Sequence, residues 1–218
     1  DMLTLTSMGG FFTVTELSQS NADPYIFIGQ LGAKGKLLED KADYKLVAGY
    51  QNIQNGTKTT FQSSANNTVS SSKYVYRYNT PMVGAELGLN DPIGDSLPHL
   101  YIPRIAVFGE FAHNPNPKDE NNAYMIGAYM GNSKVSSKGA WKATWAYKVI
   151  GRDAWSDLLP DSDFYSGNTD VKGYEGIFEY GLAKNITMQL DFYSTRRLSS
   201  LAAKTQEYIM QTDLNWKF

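Results

Sequence analysis

Carboxylates crowd one stretch of the chain: Asp153, Asp157, Asp161, Asp163 and Asp170 fall between two predicted strands. Several carboxylates on one loop have the chemistry to chelate a hard cation such as Ca²⁺, or to narrow a channel with negative charge. Their spacing lacks the EF-hand pattern, and Asp is favoured in solvated turns for its local hydrogen bonds. No metal and no cofactor is expected. Asp153, Asp161, Asp163 and Asp170 stand instead as candidates for an external or constricting loop. Catalysis finds no support either. The only histidines are His99 and His113, read at opposite ends of predicted strands, whereas nucleophile and base must lie within hydrogen-bond reach. No glycine-rich stretch leads into a helix, so phosphate cradling is unsupported. Zero Cys removes disulfide frameworks and thiolate metal sites. The chain is read as a non-enzyme.

These residues hang on strands. Walking back from Phe218 in twos meets Trp216, Leu214, Thr212, Met210 and Tyr208, with Lys217, Asn215, Asp213, Gln211, Ile209 and Glu207 between them. A strand has a side-chain period of two, so this is a ribbon with one apolar face and one polar face. The same rhythm runs through 141–149, 174–182 and 186–194. In these four segments the apolar parity carries no charge. The other parity carries Lys142, Lys148, Glu175, Glu179, Asp191, Glu207, Asp213 and Lys217. Upstream, 25–37, 44–50, 83–89, 105–111 and 124–130 repeat the alternation with more noise. Residues 3–17 lose parity at Gly9 and Gly10, where a β-bulge is expected. A soluble sandwich alternates too, but fills its apolar face with Leu, Ile and Val; here rings and small residues dominate. The fold expected is all-β: an antiparallel up-and-down transmembrane β-barrel, with about ten strands in this chain.

Composition and connections agree. The 20 Lys plus Arg against 22 Asp plus Glu give no support for a nucleic-acid partner. No apolar run reaches the length of a transmembrane helix. A mean hydropathy of -0.39 does not weigh against a barrel, because lipid-facing and lumen-facing residues cancel in the average. With 15 Tyr and 4 Trp the chain can furnish aromatic girdles: Tyr44, Trp141, Trp216 and Phe218 at one rim, Tyr25, Tyr50, Tyr174 and Tyr208 at the other. Counting back from Phe218 as a periplasmic end, the long polar connections 55–73, 113–122, 152–171 and 196–204 fall outside. The tight turns 39–43 and 183–185 fall inside, the asymmetry of outer-membrane barrels. Connections 90–99 and 131–139 are longer than that rule favours. Asp1-Met2-Leu3 carries no leader pattern, so the chain is read as mature or as beginning partway in.

From 139 to 173 the order is more specific. It runs Gly139-Ala140-Trp141, Trp145-Ala146-Tyr147-Lys148, Arg152-Asp153-Ala154, Asp161-Ser162-Asp163-Phe164, Gly167-Asn168-Thr169 and Lys172-Gly173-Tyr174. In that order and at those spacings the stretch resembles the putative porin family of bacterial outer membranes. Pro24-Tyr25 through Gly32, and Phe108-Gly109-Glu110 with Asn114, are similar to earlier parts of that family. The resemblance covers most of 24–218, and 161–164 is its most specific piece. It implies an outer-membrane pore for passive diffusion of small hydrophilic solutes and ions, without enzymatic activity. Family members are usually longer. Residues 1–218 are thus expected to form a single barrel domain, either compact or the C-terminal part of a larger barrel of about 16–18 strands. Asn66-Asn67-Thr68 and Asn185-Ile186-Thr187 match a glycosylation pattern that means nothing in a bacterial envelope.

The expected pore lining is the charged parity: Lys34, Lys36, Arg104, Lys142 and Lys148 with Glu86, Glu110, Glu175, Glu179 and Asp191. Such charges stabilise a wall by cross-strand pairing and filter ions electrostatically. Neither sign dominates, so weak ion selectivity is expected. The expected partners are outer-membrane lipid, small hydrophilic solutes and ions, with a homo-oligomer left open and no nucleic acid. Two other readings compete. A ten-stranded barrel is largely filled by its own side chains, which suits a structural or adhesive protein working through its external loops. A soluble β-sandwich binding carbohydrate through aromatic surfaces would instead pack Trp145, Phe178 and Phe192 in a dry centre.

Overall fold

Ten long alternating segments become ten long strands. The computed structural model describes residues 3–16, 23–59, 66–94, 101–199 and 206–217. In chain order the strands are β1 (Thr4–Thr13), β2 (Tyr25–Leu37), β3 (Ala42–Gln54), β4 (Val69–Ser70), β5 (Lys73–Tyr74) and β6 (Asn79–Asn90). They continue with β7 (Arg104–His113), β8 (Asn122–Gly131), β9 (Trp141–Ile150), β10 (Val171–Ala183), β11 (Ile186–Arg197) and β12 (Gln206–Trp216). β4 and β5 form a small hairpin inside the β3–β6 connection. The other ten make one sheet, in the order β1-β2-β3-β6-β7-β8-β9-β10-β11-β12, with β1 and β12 as its edges. Every pairing in it is antiparallel.

Directly paired residues share a face, so the register turns alternation along strands into rows across the sheet. One row reads Leu5, Ala33, Leu46, Ala85, Gly109, Ile126, Tyr147, Tyr174, Ser194 and Tyr208. The next reads Gly35, Tyr44, Leu87, Val107, Ala128, Trp145, Gly176, Phe192 and Met210. Neither contains a charge. On the opposite face lies Thr4, Lys34, Lys45, Glu86, Phe108, Gly127, Ala146, Glu175, Tyr193 and Ile209. The apolar rows are uncovered: Trp145 is 51% exposed, Phe178 38% and Phe192 48%. Their rings do not meet in a dry centre, and among the described residues no second layer packs on this face. The rings pack sideways instead, as where Trp145 and Tyr174 stack at 5.5 Å.

The bulge expected at Gly9 and Gly10 is absent. β1 pairs with β2 without a slip from Thr4↔Lys34 to Thr13↔Tyr25. The apparent loss of parity arises because β1 carries apolar residues on both faces, with Met8 and Phe12 on one and Leu5 and Phe11 on the other. The irregularity lies elsewhere, between Gly181 and Ala183 on β10.

The charged face is concave. Gln30 on β2 and Lys148 on β9 bound a single cavity of about 280 Å³. A flat sheet would hold those two strands about 24 Å apart, five strand spacings. On this face the Phe108 ring occupies the space above Gly127: a Cβ there would stand 2.4 Å from the ring and 2.6 Å from the Trp145 carbonyl oxygen. Gly127→Ala is therefore predicted to cost about 1–3 kcal/mol of stability by overpacking. Gly176→Ala, with nothing within 4 Å, should stay within about 0.5 kcal/mol of the parent. Denaturant midpoints measure both, and equal shifts would contradict the close approach at Gly127.

Candidate functional site

Three connections meet over one end of the concave face: 114–121, 151–170 and the described parts of the β3–β6 connection, 55–59 and 66–78. Asp153 is their hub. Its buried carboxylate accepts hydrogen bonds from Thr68 N (2.8 Å), Thr68 Oγ1 (2.5 Å) and Tyr78 OH (2.9 Å). Its backbone carbonyl accepts from Asn114 Nδ2 at 2.8 Å. Asn67 repeats the pattern from the facing loop. Its Nδ2 donates to the carbonyls of Arg152 (2.5 Å) and Trp155 (3.0 Å), and its Oδ1 accepts from Asp157 N (2.8 Å). Tyr74 OH donates to the Asp157 carboxylate. Burial pushes the Tyr74 and Tyr78 phenols far above their ordinary value, and the carboxylates of Asp157 and Asp153 add to it.

Asp170 anchors the far end of the 151–170 loop. Fully buried, it accepts from Ser199 N (3.0 Å) and Ser199 Oγ (2.7 Å) and faces Arg152 (3.5 Å) and Arg197 (3.9 Å). Between the anchors, Phe164 packs on Val171 and Tyr193. Lys148 Nζ lies 5.2 Å from the Phe164 ring and pairs with Glu175 at 2.8 Å. Apolar contact thus seats the loop on the concave face, and polar contact fixes its two ends.

A second cluster crosses β3, β6, β7, β8 and β9 toward the opposite end of the strands. The buried Arg104 guanidinium grips both Asp43 oxygens, with Nε to Oδ2 at 3.1 Å, and reaches Glu86 Oε1 at 3.0 Å. Tyr129 OH donates to the same Glu86 oxygen at 3.0 Å. The Tyr129 ring is approached by Arg104 at 5.0 Å and by Lys142 Nζ at 4.4 Å. Gly88 leaves the room that the guanidinium fills, for a Cβ there would stand 2.1 Å from its nitrogen.

The lining charges named from the sequence all share the concave parity, but the structure uses them differently. Arg104 meets Glu86, and Lys148 meets Glu175. Lys36 pairs with Asp40 in the turn beyond its strand. Asp191 is buried and accepts from Gln189 Nε2 at 2.9 Å. Among the described residues Lys34, Glu110 and Glu179 make no ion pair. The loop acids also divide. Asp153 and Asp170 are buried anchors, whereas Asp161 is exposed and Asp163 half-buried near the loop's tip. His113 Nδ1 hydrogen-bonds Asn122 Oδ1 at 2.8 Å, and His99 lies outside the described residues. Sequence reading missed Asn67, Tyr74, Tyr78, Asp43 and Tyr129 as site residues. Only Asn67 left a trace, inside a pattern that reads as a glycosylation acceptor.

A family model described as putative porin matches residues 102–218, more than half of the chain. The chain belongs to the putative porin family. The porin match takes in β7 to β12 and the whole 151–170 loop, so the Asp153 side of the knot is porin-family sequence. The Asn67–Thr68 side that clasps it lies outside the match. No curated protein matches this porin-family chain.

Asp153→Ala would leave Tyr78 OH and the Thr68 donors without their acceptor. It is predicted to weaken loop docking by about 2–3 kcal/mol, read as faster proteolysis within 151–170, while Asp161→Ala leaves the rate unchanged. Equal rates for the two variants would contradict the anchor role. The phenols add a pH dependence. A raised folded-state pKa means that the neutral Tyr is the stabilised form. Its contribution is complete below the free phenol's pKa, about 10, and fades as pH climbs above that value. Trp155 emission, with Trp155→Phe as blank, should report undocking above about pH 10, and Tyr78→Phe should flatten the transition. An unchanged transition in Tyr78→Phe would count against it.

Proposed function

We propose that this sheet is the wall of an outer-membrane β-barrel whose concave face lines a water-filled lumen for passive diffusion of small hydrophilic solutes and ions. The observation that carries the reading is the sorting of charge by face. Uninterrupted uncharged rows rich in Trp, Tyr, Phe and Leu cross one side, and the ionised residues of the central strands gather on the other. A Lys or Arg facing hydrocarbon at the midplane costs about 2–4 kcal/mol, and one facing water costs little. Membership of the putative porin family supports the same reading.

On this reading 1–218 is one barrel domain. Each free edge, on β1 and on β12, needs a strand partner in hydrocarbon, where unpaired backbone groups are strongly unfavourable: either the two edges pair with each other in a compact barrel, or each pairs with further strands of a larger one. The knotted connections lie outside the cell and the tight turns in the periplasm. The 151–170 loop, seated by Phe164 on the inner wall, narrows the passage. The protein conducts and does not catalyse, and its mixed lining gives weak ion selectivity. In planar bilayers the native protein is predicted to form ohmic channels with a small KCl reversal potential. Deleting 157–163 should raise single-channel conductance by about twofold or more. A silent bilayer, with or without the deletion, would favour a filled cylinder acting through its loops.

A further inference from the structure

Between the knot and the Arg104 cluster the concave face holds a groove of about 220 Å³, lined by Lys45, Phe108, Glu110, Tyr129, Lys142 and Thr144. Its charges are unevenly spent. Glu86 is occupied by Arg104 and Tyr129. Lys45 and Glu110 are exposed and, among the described residues, enter no ion pair. Lys142 stands directly across from Glu179 on β10 yet lies over the Tyr129 ring, 4.4 Å from its centre. Lys45 stands directly across from Lys34 on one side and from Glu86 on the other; because Glu86 is held by Arg104 and Tyr129, an anionic solute beside Lys45 would relieve the like-charge pairing. The floor is aromatic, with the Phe108 and Tyr129 rings 6.5 Å apart.

We infer that this groove is a binding subsite for small zwitterions, free amino acids and short peptides, on their way through the channel. The solute carboxylate sits with the Lys45 ammonium, Lys142 lining the far side of the groove, and the solute ammonium sits with Glu110. Lys45 and Glu110 stand on strands two spacings apart and two residues out of step, for Lys45 faces Glu86 and Glu110 faces Gly84; that sets their backbones about 12 Å apart, and their long side chains reach across the gap toward a dipeptide's termini. A plain anion would meet Glu110 and a plain cation would meet two lysines, so each is disfavoured relative to a molecule carrying both signs. A neutral sugar would leave all three charges unanswered. The inference rests on the channel reading, because the lumen is the route by which solute reaches the groove.

The test uses the full chain in detergent micelles, titrated calorimetrically with glycylglycine, acetate and ethylammonium. Glycylglycine should bind saturably and about fivefold or more tightly than either singly charged probe. Lys45→Gln and Glu110→Gln should each weaken glycylglycine by about fivefold. The exchanged pair Lys45→Glu/Glu110→Lys should recover most of the loss, since a zwitterion can bind turned around. Lys36→Gln, outside the groove, should bind as the parent does. Equal affinity for glycylglycine and acetate, or an unchanged affinity in both single variants, would overturn the subsite. KCl conductance of the same preparations separates the two readings. Conductance without zwitterion binding overturns the subsite alone; zwitterion binding without conductance supports the subsite and overturns the channel.

Discussion

A strand offers its backbone sideways to its neighbours and its side chains alternately to two faces, and everything in this protein follows from that division. Once the sheet's amide and carbonyl groups are paired with each other, parity alone decides which medium a side chain meets. Trp145, Gly176 and Phe192 form one row; one step along the same strands, Ala146, Glu175 and Tyr193 form the row behind it. A register slip of a single residue would exchange these two sets. The large difference in solvation between Glu175 and Phe192 therefore holds the register as firmly as the hydrogen bonds do.

The concave face solves the opposite problem. Charged rows cannot pack as a hydrocarbon core, so the face is stabilised by satisfied pairs and by loops laid over it. Arg104 binds Asp43 and Glu86 across three neighbouring strands. Buried Asp153 and Asn67, with half-buried Asp157, stitch one connection to another through satisfied hydrogen bonds, the condition under which a polar cluster stabilises rather than weakens. Phe164 adds the apolar seat. In the channel we propose, these elements hold the lumen at a fixed width, and the uncommitted Lys45, Glu110 and Lys142 are left to the solute.

What was legible in the sequence was what is local. Period two along 141–149, 174–182, 186–194 and 208–218 is a property of each segment alone, and tight turns make sequential strands neighbours; both survive among the described residues, where the last strand ends at Trp216. β1 misled because Met8 and Phe12 put apolar groups on the concave parity, imitating a bulge that the pairing does not contain. The knot was illegible for a different reason. Thr68 and Asp153 are 85 residues apart, Tyr78 and Asp153 are 75 apart, and no periodicity links them. The carboxylates of 153–170 were visible as acids, but an anchor such as Asp170 and an exposed group such as Asp161 differ only in the partners that tertiary structure brings.

The chain has no cysteine, so single spin labels can be placed at will along 105–111 and 124–130 in the protein reconstituted in lipid vesicles. Accessibility to oxygen, which concentrates in hydrocarbon, and to a water-soluble nickel chelate can then be read residue by residue. Two media on two faces predict opposed oscillations of period two, with oxygen highest at Val107, Phe111 and Ile126 and nickel highest at Glu110, Phe108 and Met125. Nickel access at both parities, or access to neither reagent at the apolar positions, would contradict a wall between lipid and water.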